Sequence, residues 1–173
     1  PNKESFINEV LDGLTAPPKY FGMNVAMNKG GYASFDQVLK KGKNPLSVEE
    51  FEIAAEETGA LILDTRSAAV FHKGFVPNSI NIGIKGDFAP WVGAMIVDVQ
   101  QPILLVSDEG TEEEVITRLS RVGFDNVLGY LDGSFEAWKN SGKETDEIRR
   151  ISAEEFAGEF SENVKVVDVR KES

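Results

Sequence analysis

The segment best equipped for chemistry is Ser107-Asp108-Glu109-Gly110-Thr111-Glu112, which follows the apolar run Ile103-Leu104-Leu105-Val106. Ser107 offers a hydroxyl, a poor nucleophile at neutral pH unless a base activates it. The chain has one histidine, His72, and no cysteine. Thiol chemistry, disulfides and cysteine-ligated zinc are therefore excluded, and a Ser-His-Asp triad or a histidine-based metal site is hard to build. Residues 107–114 hold five acids and no base, so an anion such as phosphate would be repelled. These acids also have a structural reading. Thr111 and Glu114 fit a capping box, and Glu112 and Glu113 complement the dipole of the helix that follows. Asp64 and Arg66 close a second apolar run, Leu61-Ile62-Leu63. They could take a substrate anion, but such a pair serves first to tie a strand end to neighbouring loops. His72 reads as a surface or packing residue, and Phe88, Trp91, Phe135 and Trp138 as core aromatics before a binding surface.

These residues need a scaffold, and the chain of 173 residues is long enough for one domain and part of another. Hydrophobic residues make up 41% and charged residues 27%, the usage of a globular protein rather than a disordered one. The net charge of −11 argues against nucleic acid and anionic membrane partners. No apolar run is long enough to span a bilayer and no signal peptide is visible, so a cytoplasmic location is expected.

Residues 3–14 have the spacing of a short amphipathic helix. Residues 15–45, with Pro17-Pro18 and several glycines, read as a long connector. Ser47-Val48-Glu49-Glu50 is a capping box that starts a helix ended by Gly59. Strands are expected at 61–63, 80–82, 103–106 and 126–128, and helices at 67–72, 88–97, 112–122 and from Gly133 to Gly142. Alternating strands and helices predict an α/β domain with a central, mostly parallel sheet and helices on both faces.

Two stretches recur in order. Leu46-Ser47-Val48-Glu49-Glu50-Phe51 returns as Ile151-Ser152-Ala153-Glu154-Glu155-Phe156. Leu61-Ile62-Leu63-Asp64-Thr65-Arg66 returns as Lys165-Val166-Val167-Asp168-Val169-Arg170. The repeat predicts a piece of a longer, tandem-domain protein.

Residues 46–142 resemble a rhodanese domain. The likeness rests on Asp64-Thr65-Arg66, on Gly74-Phe75-Val76-Pro77-Asn78-Ser79-Ile80-Asn81-Ile82, on the segment Ile103 to Val122, and on Leu131-Asp132-Gly133-Ser134-Phe135-Glu136-Ala137-Trp138. Leu14 to Gly31, with Pro17-Pro18-Lys19-Tyr20-Phe21 and Met27-Asn28-Lys29-Gly30, is similar to the end of metallo-β-lactamase-fold proteins fused to rhodanese domains. That resemblance implies a three-layer rhodanese-like fold preceded by an extended segment. It implies three parts: residues 1–45 as the tail of a preceding metallo-β-lactamase-like domain plus linker, 46–145 as the rhodanese-like domain, and 146–173 as a linker and the start of a second such domain.

The rhodanese loop, Cys-x-x-Gly-x-Arg, wraps backbone N–H groups around a persulfide or an incoming anion at a helix N-terminus. Here Ser107 takes the Cys position and Glu112 the Arg position. The resemblance therefore implies no catalytic residue in this chain, and a degenerate loop of Ser107, Asp108, Glu109, Gly110, Thr111 and Glu112 supported by Asp64 and Arg66. It implies a non-catalytic, structural or docking module with no cofactor of its own. An iron or zinc ion is expected in the metallo-β-lactamase-like domain. The parent would be a metal-dependent hydrolase or dioxygenase acting on glutathione thioesters or persulfides. Partners would be that domain, the second rhodanese-like domain and a second copy in a homodimer. The alternatives are a regulatory or ligand-binding module whose acidic loop docks a partner, and a weak Ser107-dependent hydrolase.

Overall fold

The apolar runs expected as strands lie side by side in the computed structural model, which describes residues 2–13, 21–31, 34–161 and 163–169. In chain order the elements begin with α1 (Lys3–Leu11), α2 (Phe21–Gly30), α3 (Phe35–Gly42), β1 (Pro45–Leu46) and α4 (Val48–Thr58). Next come β2 (Leu61–Asp64), α5 (Ala68–Phe71), β3 (Ile80–Asn81), α6 (Phe88–Met95) and β4 (Ile103–Val106). The last are α7 (Glu112–Ser120), β5 (Val127–Leu131), α8 (Ser134–Asn140) and α9 (Ala153–Glu159). The five strands form one sheet in the order β1-β5-β4-β2-β3, and every pairing is parallel.

Central β4 is buried along its whole length, as a parallel strand covered on both faces must be. Its side chains alternate between two cores. Ile103 and Leu105 pack with Val38 of α3, Phe88 and Val92 of α6, and Val115, Ile116 and Leu119 of α7. Leu104 and Val106 pack on the other face with Phe51 of α4 and Phe135 and Trp138 of α8. The register slips between Ile103 and Leu104 against β5. Gly129 sits at that slip, where a Cβ would stand 2.5 Å from the Asn44 carbonyl oxygen. Only glycine lets the start of β1 approach so closely.

Several expectations change. Residues 15–45 are not simply a connector, because α2 and α3 occupy most of the described part of that stretch. A capping box starts α3: Ser34 accepts from the Gln37 N–H, and the Gln37 side chain accepts from the Ser34 N–H. Val38 is buried, and Gly42 gives room to Ile116 of α7. Leu46 of β1 then pairs with Leu131. The expected break at residue 45 thus runs through the packed unit. The cause is the apolar side of α3, which the charged run Lys40-Lys41-Gly42-Lys43 conceals. The first helix ends at Leu11 rather than residue 14, with Asp12 extended and Gly13 left-handed.

At the other end, the expected linker begins attached. Phe75 and Asp146 form an antiparallel bridge, and the Ile148 N–H donates to the His72 carbonyl at 2.9 Å. The repeated capping box is present at α9, where Ser152 and Glu155 reproduce the Ser47–Glu50 exchange that starts α4. The repeated strand does not form. Residues 164–169 lie outside any strand, with Val167 80% and Val169 91% exposed. A lone apolar run needs a neighbouring strand for its backbone, and none pairs with it among the described residues. Pro17, Pro18, Lys19, Tyr20 and Arg170, which carry part of the sequence likeness, lie outside the described residues.

Candidate functional site

β2 and β4 are neighbours, with Asp64 opposite Val106. The chain leaves them in opposite directions, from β2 outward to β3 and from β4 outward to β5. Such a reversal opens a crevice at the carboxyl ends of the strands, where open α/β sheets bind ligands. The two exit loops hold each other: the Thr65 N–H donates to the Val106 carbonyl at 2.8 Å. Asn81 on β3 donates its side-chain amide to the Asp64 and Arg66 carbonyls at 3.0 and 2.9 Å.

Asp64 and Arg66 do not face this crevice as an open pair. Arg66 Nε donates to both Asp64 carboxylate oxygens at 3.0 Å, and Nη2 donates to Oδ2 at 2.5 Å. Nη2 also donates to the Gly74 carbonyl at 3.0 Å. The guanidinium carbon stands 4.6 Å from the centre of the Phe135 ring. Gly74 permits this packing, since a Cβ there would meet Phe135 at 2.9 Å. The side chains are 0% and 5% exposed. Burial pushes the Asp64 carboxyl above its ordinary value; Arg66 pulls the other way, and the charge of Asp108 adds to the push. The pair therefore joins the β2 end to the loop after α5 and to α8.

Ser107 directly follows β4 and is 3% exposed. Gly110, left-handed at φ 83°, turns the loop so that the Thr111 N–H and hydroxyl both donate to the Asp108 carbonyl, at 3.1 and 2.6 Å. The expected Thr111–Glu114 capping box is consequently absent, because the hydroxyl is directed back along the turn. Glu112 closes the loop instead: its carboxylate accepts the Gly110 N–H at 3.2 Å. A backbone donor that could meet an incoming anion is thus already given to an anion of the chain itself. Glu113 pairs with Lys43 at 2.7 Å, and Glu114 lies 3.5 Å from Arg118. Glu109 is exposed.

Beside the loop lies a cleft of about 650 Å³ whose walls include Thr65, Asp108 and side chains of α6. His72 is not among its lining residues. Trp91, expected in the core, is 58% exposed on the cleft wall, whereas Phe88, Phe135 and Trp138 are buried. The helical spacing explains the error. Phe88, Val92 and Ile96 make one apolar stripe that faces the sheet, and Trp91 and Met95 make a second beside it. One stripe suffices for the core, so a second was a readable sign of a surface.

A family model for the rhodanese-like domain matches residues 47–141, more than half of the chain. The chain belongs to the rhodanese-like family. The thiosulfate sulfurtransferase GlpE of Pseudomonas savastanoi pv. phaseolicola is 28% identical over 87 residues, covering 50% of this chain and 78% of that protein. A rhodanese-like domain from Anabaena sp., solved by NMR, superposes with a TM-score of 0.53 at 19% identity, covering 75% of this chain and 95% of that one. A metallo-beta-lactamase from Staphylococcus aureus superposes with a TM-score of 0.56 at 23% identity, over 76% of this chain and 35% of that chain. At these identities the two structures speak to the fold. The five-stranded parallel sheet flanked by helices is the rhodanese-like architecture. Among the described residues, no helix is long and apolar enough to cross a membrane.

Proposed function

We propose that this rhodanese-like unit transfers no sulfur and serves as a structural or docking module of a metallo-β-lactamase–rhodanese fusion protein. The observation that carries the reading is the loop after β4. Ser107 stands where the family resemblance places the nucleophilic Cys, and Glu112 stands where it places Arg. The Glu112 carboxylate occupies the Gly110 N–H, and Arg66, a buried cation of the site, is held by Asp64. An incoming thiosulfate would meet acids and find no thiolate.

Two further observations support the docking role. Phe6, Val10 and Leu11 are 61%, 52% and 58% exposed on α1, an apolar face suited to a preceding domain. The fold of this chain also recurs within a longer protein described as a metallo-beta-lactamase. In this reading the metal, iron or zinc, belongs to that preceding domain, and the parent acts on glutathione thioesters or persulfides. Ser107-dependent hydrolysis is disfavoured, since the hydroxyl-bearing residue is 3% exposed and neither Ser107 nor His72 lines the cleft beside the loop.

The test has two arms. Sulfane sulfur transfer from thiosulfate to cyanide by this chain should equal the buffer rate, and turnover above it overturns the reading. In the parent protein, Ser107→Ala should leave turnover unchanged. A loss of about tenfold or more, ~1.4 kcal/mol in barrier, with fold and metal content intact assigns Ser107 a role in the chemistry.

A further inference from the structure

The cleft beside α6 has features that a spacer does not need. Trp91 and Met95 are 58% and 57% exposed and stand on its wall, while Phe88 of the same helix is buried at 1% and completes an apolar floor with Ile82 and Ile84. A volume of about 650 Å³ is that of a small-molecule site. Two carboxylates, Asp87 and Asp108, line it, and neither has a hydrogen-bond or ion-pair partner for its side chain among the described residues. Arg118, which could have balanced them, is committed elsewhere. It donates to the Ile84 and Gly86 carbonyls and lies over the Phe88 ring. Lys85 is the one cation among the lining residues, against the two carboxylates, and the exposed Glu109 follows Asp108 in the chain.

We infer that this cleft binds a small organic ammonium compound with an aromatic or apolar body. The body lies against Trp91 and Met95, and the ammonium group is drawn to Asp87 and Asp108. An aromatic wall favours the same charge, since the face of an indole attracts cations. The inference goes beyond the docking reading and does not depend on it: a module that moves no sulfur can still hold a ligand of the opposite charge to thiosulfate.

Tryptamine and indole-3-acetate carry the same ring and opposite charges, and they are the probes. In an amide-resolved NMR titration of the full chain, tryptamine should shift residues of the 82–91 segment and Asp108. Indole-3-acetate should bind about tenfold more weakly or worse. Asp87→Asn combined with Asp108→Asn should weaken tryptamine several-fold while leaving the rest of the spectrum in place. If that variant loses its fold, Trp91→Ala, at an exposed position, carries the test, and unchanged tryptamine affinity overturns the inference. Equal binding of both probes, shifts confined to other surfaces, or no shifts at about 10 mM tryptamine also overturn it. Sulfur transfer and parental turnover are read separately, so the two readings fail independently.

Discussion

Arg66 is held by Asp64, by the Gly74 carbonyl and by the face of Phe135, with its side chain 5% exposed. Two charges taken out of water gain little net stability as a pair, but removing one leaves the other uncompensated. Asp64→Ala should therefore destabilise the chain by about 3–5 kcal/mol in urea unfolding. Asp64→Leu combined with Arg66→Met should recover most of that loss. A single variant within about 1 kcal/mol of the parent would show that water reaches Arg66 and that the pair is not the joint described. At this scale the sequence was informative about identity and silent about commitment. Asp64, Arg66, Ser107 and Glu112 are visible as candidates in the chain. That Arg66 turns inward to Gly74, or that Glu112 reaches back to the Gly110 N–H, depends on loop conformation, which residue spacing does not encode.

The helices carry their own start signals. In α4, the Ser47 hydroxyl accepts the Glu50 N–H and the Glu50 carboxylate accepts the Ser47 N–H at 2.8 Å. The backbone hydrogen bond from Ser47, then its side-chain bond, hold the Glu50 carboxyl below its ordinary value of 4.5. A depressed folded-state value means that the contribution is present above the unfolded value and is lost as pH falls through the folded one. Glu50→Gln keeps the reach of the side chain and removes the charge. Its stability should fall less steeply than that of the parent as pH drops below 4.5, as followed by circular dichroism. Identical acid limbs would mean that the charge contributes nothing to the cap. Capping boxes at Ser47 and Ser152 are local patterns, and both were legible in advance. The one at Ser34–Gln37 obeys the same pattern, yet the glycines and prolines before it and the lysines after it made the region read as a connector. The second copy of the strand motif, Lys165-Val166-Val167-Asp168-Val169-Arg170, shows the opposite limit over its described residues. Its pattern suits a strand, but a strand exists only with a neighbour, and pairing is not a local property.

Across the whole molecule, packing separates the chain into parts that sequence composition divides elsewhere. No residue of α1 is buried, whereas α3 and β1 belong to the sheet unit through Val38 and Leu46. Removing residues 1–31 should change the melting temperature by less than about 3 °C. Removing residues 1–46 should lower it by about 8 °C or more, because Val38 and the β1 pairing go with it. Similar melting for both truncations would restore the break at residue 45.

The two outer strands of the sheet have only two residues each. Little unpaired backbone is thus offered at either border for another molecule to extend, which is one way that natural sheets avoid edge-to-edge aggregation. The valine-rich residues 164–169 are a different matter: they are exposed, outside any helix or strand, and rich in β-branched side chains. Mutual repulsion at a net charge of −11 keeps such segments of separate molecules apart near neutral pH. That protection fades as the solution approaches the isoelectric point near 4.6. The colloidal behaviour of this chain is therefore set by its charge and its C-terminal valines, and hardly at all by the borders of its sheet.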